Sequence, residues 1–239
     1  MKTIGVLGGM SSVASAEYYR RINEGVNSQL GGHAAAELLL YSVDFGVIEG
    51  FIRDERWDQA AEYLAERAQR LERAGAEFLI LATNTMHRVA DELQNAVGIP
   101  LMHIVDVTAD AAAEDGASTL GVIGTKPVME ADFYRKRFAD KGFEILVPAE
   151  RDRDLVHRVI FEELTRGVID DHSREEYLRI LGDLVARGAQ GIVLGCTEIS
   201  LLVAAEDMPG TVLYDTTALH VERAVRISLG LHPLVTGPL

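Results

Sequence analysis

Short apolar stretches alternate along this chain with longer segments in which apolar residues recur every three or four positions. The apolar stretches at residues 3–7, 37–43, 78–82, 102–105, 120–123, 144–147, 191–194 and 212–214 read as β-strands. Several are apolar almost throughout, as parallel strands covered on both faces are. The intervening segments are helical. Residues 60–73, for example, place Ala61, Leu64, Ala65, Ala68 and Leu71 on one face and Glu66, Arg70 and Glu72 elsewhere. The links Ala74-Gly75 and Arg187-Gly188-Ala189 suit helix C-termini. Alternation of this kind predicts an α/β fold of open parallel sheets with crossover helices.

The same pattern occurs twice. Glu72-Arg-Ala-Gly-Ala-Glu-Phe-Leu-Ile-Leu-Ala-Thr83 resembles Val185-Ala-Arg-Gly-Ala-Gln-Gly-Ile-Val-Leu-Gly-Cys196, pairing Gly75 with Gly188 and Thr83 with Cys196 at an offset of 113. Gly5-Val-Leu-Gly8 resembles Gly121-Val-Ile-Gly124 at an offset of 116. Each is followed by an aromatic and basic helix, Tyr18-Tyr19-Arg20-Arg21 or Phe133-Tyr134-Arg135-Lys136. Ile104-Val105-Asp106 resembles Leu213-Tyr214-Asp215 at an offset of 109. Three matches in the same order predict two pseudo-symmetric domains, each a parallel four-stranded sheet flanked by helices. The first takes residues 1–103 with 217–239, the second 104–216. Ligands of open α/β sheets bind beyond the carboxyl ends of the strands, so the active site is expected in a cleft between the domains.

Composition narrows the chemistry. A net charge of −14 argues against nucleic acid and anionic membrane as partners, and no apolar run approaches the roughly 20 residues of a membrane span. A single cysteine excludes an intrachain disulfide and a cysteine-rich zinc site. With no signal peptide after Met1, the expectation is a cytoplasmic enzyme of small molecules.

Two strand ends carry the candidate chemistry: Thr83-Asn84-Thr85-Met86-His87 and Gly195-Cys196-Thr197-Glu198. Each puts small polar groups after a buried strand and before a segment that can begin a helix, where free N–H groups favour a carboxylate. A cysteine in such a place is expected to have a lowered pKa and to act as a general base. Groups at equivalent places in two facing halves would reach one carbon from opposite sides. Glu198 is a candidate to orient Cys196 or to bind an ammonium, and His87 either relays a proton or makes a structural hydrogen bond. Tyr18 and Tyr19 read as core.

These motifs, with Gly5-Val-Leu-Gly-Gly-Met10, Tyr18-Tyr19-Arg20, Gly124-Thr125 and Leu194-Gly-Cys-Thr-Glu-Ile199, resemble the aspartate/glutamate racemase family over essentially the whole chain. The resemblance implies a cofactor-independent isomerase with no metal or pyridoxal phosphate, often a homodimer, acting on a small-molecule amino acid. Its members typically use two cysteines, one per half. Here Thr83 stands in the first position and Cys196 in the second, which resembles the Thr/Cys type that prefers one enantiomer. The implied activity is racemisation of aspartate and/or glutamate, with Cys196 addressing the L-face proton and L-to-D conversion faster. Substrate contacts are then expected from Met10, Ser11, Asn84, Thr85, Thr125, Arg166, Thr197 and Glu198.

Phe45 falls where many aspartate racemases carry an arginine for the distal carboxylate; Arg53 is a possible substitute. Two other activities fit the same residues. One is a malonate-type decarboxylase in which Cys196 alone protonates a carbanion; the other is an amino-acid-binding protein without turnover. Nucleotide binding is excluded, because Gly5-x-x-Gly8-Gly9 matches neither glycine-rich phosphate signature.

Overall fold

A computed structural model describes residues 1–234. The chain divides into two compact units, Met1–Ile104 joined by the residues from His220 onward, and Val105–Leu219. Of the range expected for the first domain, residues 235–239 lie outside the described residues.

The first unit runs β1 (Ile4–Gly8), α1 (Ser12–Leu30), β2 (Leu38–Ser42), α2 (Phe45–Arg53), α3 (Trp57–Arg73), β3 (Phe78–Leu81), α4 (Ala90–Ala96) and β4 (Leu101–Met102). Helix α5 (Ile104–Glu114) leads into the second unit. There follow β5 (Thr119–Gly124), α6 (Lys126–Glu130), α7 (Asp132–Asp140), β6 (Glu144–Leu146), α8 (Glu150–Glu162), α9 (Asp171–Ala186), β7 (Gly191–Gly195) and β8 (Val212–Asp215). Helix α10 (Thr216–Ser228) then leads back to the first. The sheets are parallel and identically ordered, β2-β1-β3-β4 and β6-β5-β7-β8.

The repeat extends to individual hydrogen bonds. Gly5 pairs with Leu79 and Gly121 with Ile192, so the offsets of 116 and 113 hold in strand register. Gly75 and Gly188 have φ of 105° and 106°, a conformation open to glycine at no steric cost. Each ends its helix in the same way, and the next N–H bonds back to Leu71 or Leu184. One residue further on, Glu77 accepts from the Thr3 N–H at 2.8 Å and Gln190 from the Thr119 N–H at 3.0 Å. Tyr18 and Tyr134, 116 positions apart, are both fully buried.

Alternation along the strands builds the core of the first unit. Leu7, Leu79 and Leu81 face a cluster with Leu64, Leu71 and Leu93, while Ile4, Val6, Phe78 and Ile80 face Tyr18, Ile22 and Val225. In the second unit Ile123, Ile192 and Leu194 pack on Val159, Ile160, Ile180 and Leu181. Each buried side chain of this size contributes about 1.5–3 kcal/mol.

Three expectations need correction. The strand expected at 102–105 stops at Met102, and Ile104 and Val105 already belong to α5. A short apolar run does not by itself distinguish a strand from a buried helix start. The match of 104–106 with 213–215 therefore joins a helix to a strand. The strand pairings instead align Met102 with Tyr214, at an offset of 112. Tyr19 is 54% exposed, because only Tyr18 faces inward on that turn of α1.

One buried polar group gives the first unit a pH-dependent stability. His220 donates through Nε2 to the Met102 carbonyl at 2.9 Å and accepts the Tyr18 hydroxyl at Nδ1, also at 2.9 Å. Burial lowers its pKa to about 4 from 6.5, against the opposing pull of the Met102 carbonyl. The unfolded chain therefore binds a proton first as the pH falls. Stability is full above about 6.5 and declines until about 4, by roughly 3 kcal/mol in all. Urea midpoints should fall more between pH 7 and 4.5 for the natural chain than for His220→Gln. Parallel declines would remove His220 as their source.

Candidate active site

In each unit the two central strands end side by side, and the candidate residues stand at those ends. The Ala82 N–H bonds to the Leu7 carbonyl at 2.9 Å, which sets the turn carrying Thr83, Asn84 and Thr85 beside the turn carrying Gly9, Met10 and Ser11. In the second unit Gly124 pairs with Gly195, bringing Thr125 beside Cys196. Glycine is required there, because a Cβ on Gly124 would lie 2.8 Å from the Gly195 carbonyl oxygen. Thr83, Asn84, Met10 and Thr125 are buried, while Ser11, Thr85, Cys196 and Thr197 are half-buried.

At the end of β1, Gly9 has φ of 91° and donates its N–H to Ser15 Oγ at 2.7 Å. The Ser11 hydroxyl accepts from the Ala14 N–H at 3.2 Å and so caps α1. Thr125 stands at the N-cap of the short α6, held from α8 by His157, whose Nδ1 accepts the Lys126 N–H at 3.2 Å.

At the end of β3, the chain enters the 3-10 turn Thr85–Val89. His87 bonds through Nδ1 to the Thr83 carbonyl at 2.7 Å, and its Nε2 accepts the Ile104 N–H at 3.2 Å. A carbonyl accepts and an N–H donates, so the ring is neutral with its proton on Nδ1. Of the two roles open to His87, the structural hydrogen bond is the one present.

The Cys196 thiol donates to Glu198 Oε2 at 3.1 Å, and the Thr197 hydroxyl donates to the same oxygen. Glu198 is only 4% exposed. Burial and then the Glu198 carboxylate push the thiol well above the usual range. This corrects the lowered pKa expected for Cys196. Beyond the strand end the chain forms the three-residue 3-10 turn Ile199–Leu201, too short for a helix dipole, and a carboxylate faces the sulfur. The resting group is a neutral thiol with a proton acceptor beside it.

One residue went unnoticed in the sequence. Glu163, between α8 and the 3-10 turn Leu164–Arg166, has a buried Oε2 with no hydrogen-bond partner among the described residues. The Tyr177 phenol is pushed far above its usual pKa by burial, then by Cys196, then by Glu163, so both groups lie near it. No motif marks Glu163, since an acidic residue at a helix end ordinarily reads as solvated. Arg166 ends the same turn with an exposed side chain. Arg53 is 64% exposed and pairs with Glu49 and Asp54, which makes it a surface residue. Phe45 opens α2 and packs on the core of the first unit. Among the described residues, no three His, Cys, Asp or Glu could hold a metal ion, and no helix is long and apolar enough to cross a membrane.

The family model described as Asp/Glu/Hydantoin racemase matches residues 7–224, which include both strand ends. The chain belongs to the Asp/Glu/hydantoin racemase family. The crystal structure of a Yersinia pestis protein, solved as a candidate Asp/Glu racemase, is 45% identical with a TM-score of 0.90, covering 96% of this chain and 100% of that one. An aspartate racemase homologue from Pyrococcus horikoshii is 33% identical with a TM-score of 0.84, over 96% of this chain and 100% of that one. A broad-specificity amino-acid racemase from Bacillus subtilis is 29% identical over 89 residues, which are 37% of this chain and 39% of that protein. Family membership accords with the two like-ordered parallel sheets.

The thiol–carboxylate contact is open to measurement in this racemase-family chain. Glu198→Gln removes the charge facing the sulfur, so the midpoint of the pH profile for iodoacetamide alkylation of Cys196 should move down. A midpoint that stays or rises would mean the carboxylate does not set the thiol's proton affinity.

Proposed function

We propose that the chain is an amino-acid racemase for aspartate and/or glutamate that works without pyridoxal phosphate or metal, by proton transfer at the α-carbon. The observation that carries this reading is the Cys196–Glu198 pair at the end of β7, at the repeat position equivalent to Thr83 at the end of β3. The racemases among its relatives support it.

Glu198 takes the thiol proton, the Cys196 thiolate takes the α-proton from the L-face, and the Thr83 hydroxyl returns a proton to the opposite face. Glu198 then releases its proton to solvent and the Thr83 oxygen takes one from it, which restores both groups. The backbone N–H groups of Met10, Ser11, Asn84, Thr85, Thr125 and Thr197 hold the α-carboxylate, with the hydroxyls of Ser11, Thr85 and Thr125. The unpaired carboxylate oxygen of Glu163 suits the ammonium, and the exposed guanidinium of Arg166 suits the distal carboxylate. A cation held near Cys196 also lowers its proton affinity, so the thiolate forms when substrate is present.

A hydroxyl is a far weaker acid and base than a thiol, and each pKa unit of mismatch costs about 1.4 kcal/mol. The equilibrium constant between enantiomers is one, so kcat/KM is equal in the two directions. The Thr/Cys asymmetry therefore shows in kcat and KM separately and in which face exchanges. L-substrate should exchange its α-proton faster than D-substrate.

Proton NMR of L-aspartate and L-glutamate with the enzyme in deuterated water, followed by chiral separation, tests the reading. Loss of the α-proton signal with appearance of the D-isomer is expected, and Cys196→Ala should lower both at least about 1,000-fold while the fold persists. Absence of exchange with either amino acid would overturn the assignment. Proton incorporation into a malonate-type acid with loss of carbon dioxide would replace it by a decarboxylase.

Thr83→Cys addresses the opposing face. It should bring the exchange rates of L- and D-substrate closer together. Unchanged asymmetry would mean that Thr83 does not face the α-carbon.

A further inference from the structure

The first unit holds a buried group of imidazoles to which no step above assigns a role. The His87 and His103 rings lie 4.5 Å apart between centroids, and His87 and His220 lie 5.9 Å apart. All three are buried. His220 is fixed by Tyr18 of α1 and the Met102 carbonyl of β4. His87 is fixed by the Thr83 carbonyl and the Ile104 N–H, which opens α5. Neither ring can serve as a metal ligand without giving up a hydrogen bond, since each uses both nitrogens.

We propose that His87 is a positioning residue that aims the Thr83 hydroxyl, by tethering the Thr83 peptide to the start of α5. The proposal rests on the racemase reading given above. Thr83 is the first residue of an irregular turn, where no strand ladder fixes the following peptide. The tether supplies that constraint: Nδ1 holds the carbonyl at 2.7 Å, and Nε2 anchors the ring to a helix start. Threonine is β-branched, and its χ1 is strongly restricted once the backbone is set. Fixing the Thr83 peptide therefore narrows the directions in which its hydroxyl can point. The neighbouring rings of His103 and His220 hold the imidazole plane. His87 does not touch the substrate, and with Nδ1 committed to the carbonyl it carries no proton to the Thr83 hydroxyl.

Two substitutions separate positioning from general support. His87→Asn places an amide nitrogen near the Nδ1 position and keeps the bond to the Thr83 carbonyl. His87→Gln places its amide oxygen near the Nε2 position and keeps the bond to Ile104, releasing Thr83. Each loses one hydrogen bond, so their melting temperatures should fall by similar amounts. The decisive readout is the ratio of D-isomer formation to α-proton washout from L-substrate in deuterated water. Washout reports removal by Cys196, and D-isomer reports delivery by Thr83. The ratio should fall about tenfold or more in His87→Gln, because a displacement near 1 Å is costly at a reacting atom. It should stay within about twofold of the natural value in His87→Asn. An equal ratio in the two variants would overturn the positioning role and leave the racemase reading intact.

The 15N shifts of the His87 ring provide a readout independent of turnover. A proton on Nδ1 is expected, and a proton on Nε2 or a charged ring would overturn the tether. An Nδ1 proton in a natural chain that exchanges no α-proton would overturn the racemase reading, leaving the tether as architecture only.

Discussion

Everything chemical in this chain depends on parallel pairing between the central strands of each sheet, β1 with β3 and β5 with β7. Parallel strands need crossover helices, so every strand in a sheet ends at the same edge and the turns after them gather there. Hydrophobic side chains on both faces hold the strands in register, because a slip of one residue would carry each side chain to the opposite face and away from the helix it packs against. Glycines such as Gly124 let the two central strands approach closely at that edge. Polar groups far apart in sequence become neighbours by this means, as Thr125 and Cys196 do after the paired Gly124 and Gly195.

The sequence made the fold legible because two independent signals agreed. Apolar stretches marked the strands, and the repeat marked which strands correspond. Glycine with positive φ at positions 75 and 188 contributed strongly, since that backbone conformation restricts the residue type and recurs in both units. The third repeat failed for the same physical reason that the 102–105 strand was misplaced. Residues at a strand-to-helix junction are apolar in either state, so the pattern of Ile104 and Val105 does not say which they adopt. Strand pairing supplied the information, by aligning Met102 with Tyr214.

At the site, residue types were legible and their electrostatics were not. The position of Cys196 after a strand suggested helix-dipole activation, yet the chain there forms a 3-10 turn and Glu198 turns its carboxylate back onto the sulfur. Whether a residue two positions ahead reaches back to its neighbour depends on how the chain bends there, and sequence spacing does not reveal the turn type. Glu163 was invisible for a related reason. Burial of one carboxylate oxygen without a partner is a three-dimensional property, and the sequence shows only another acidic residue in a chain of net charge −14.

The two units use one backbone plan for different local chemistry. At the end of β7 the reactive side chain itself has a charged neighbour, so its proton affinity is set by direct contact. At the end of β3 the neighbouring imidazole is bound to the main chain, so it governs geometry and leaves the proton affinity of the hydroxyl alone. That division suits the residues concerned. A thiol changes protonation state within the range a nearby carboxylate can shift, whereas a threonine hydroxyl keeps its proton at rest and parts with it only in delivering it to the carbon. For such a group, direction is the property the protein can control. A neutral ring that fixes the peptide is therefore a more effective neighbour for Thr83 than a base would be.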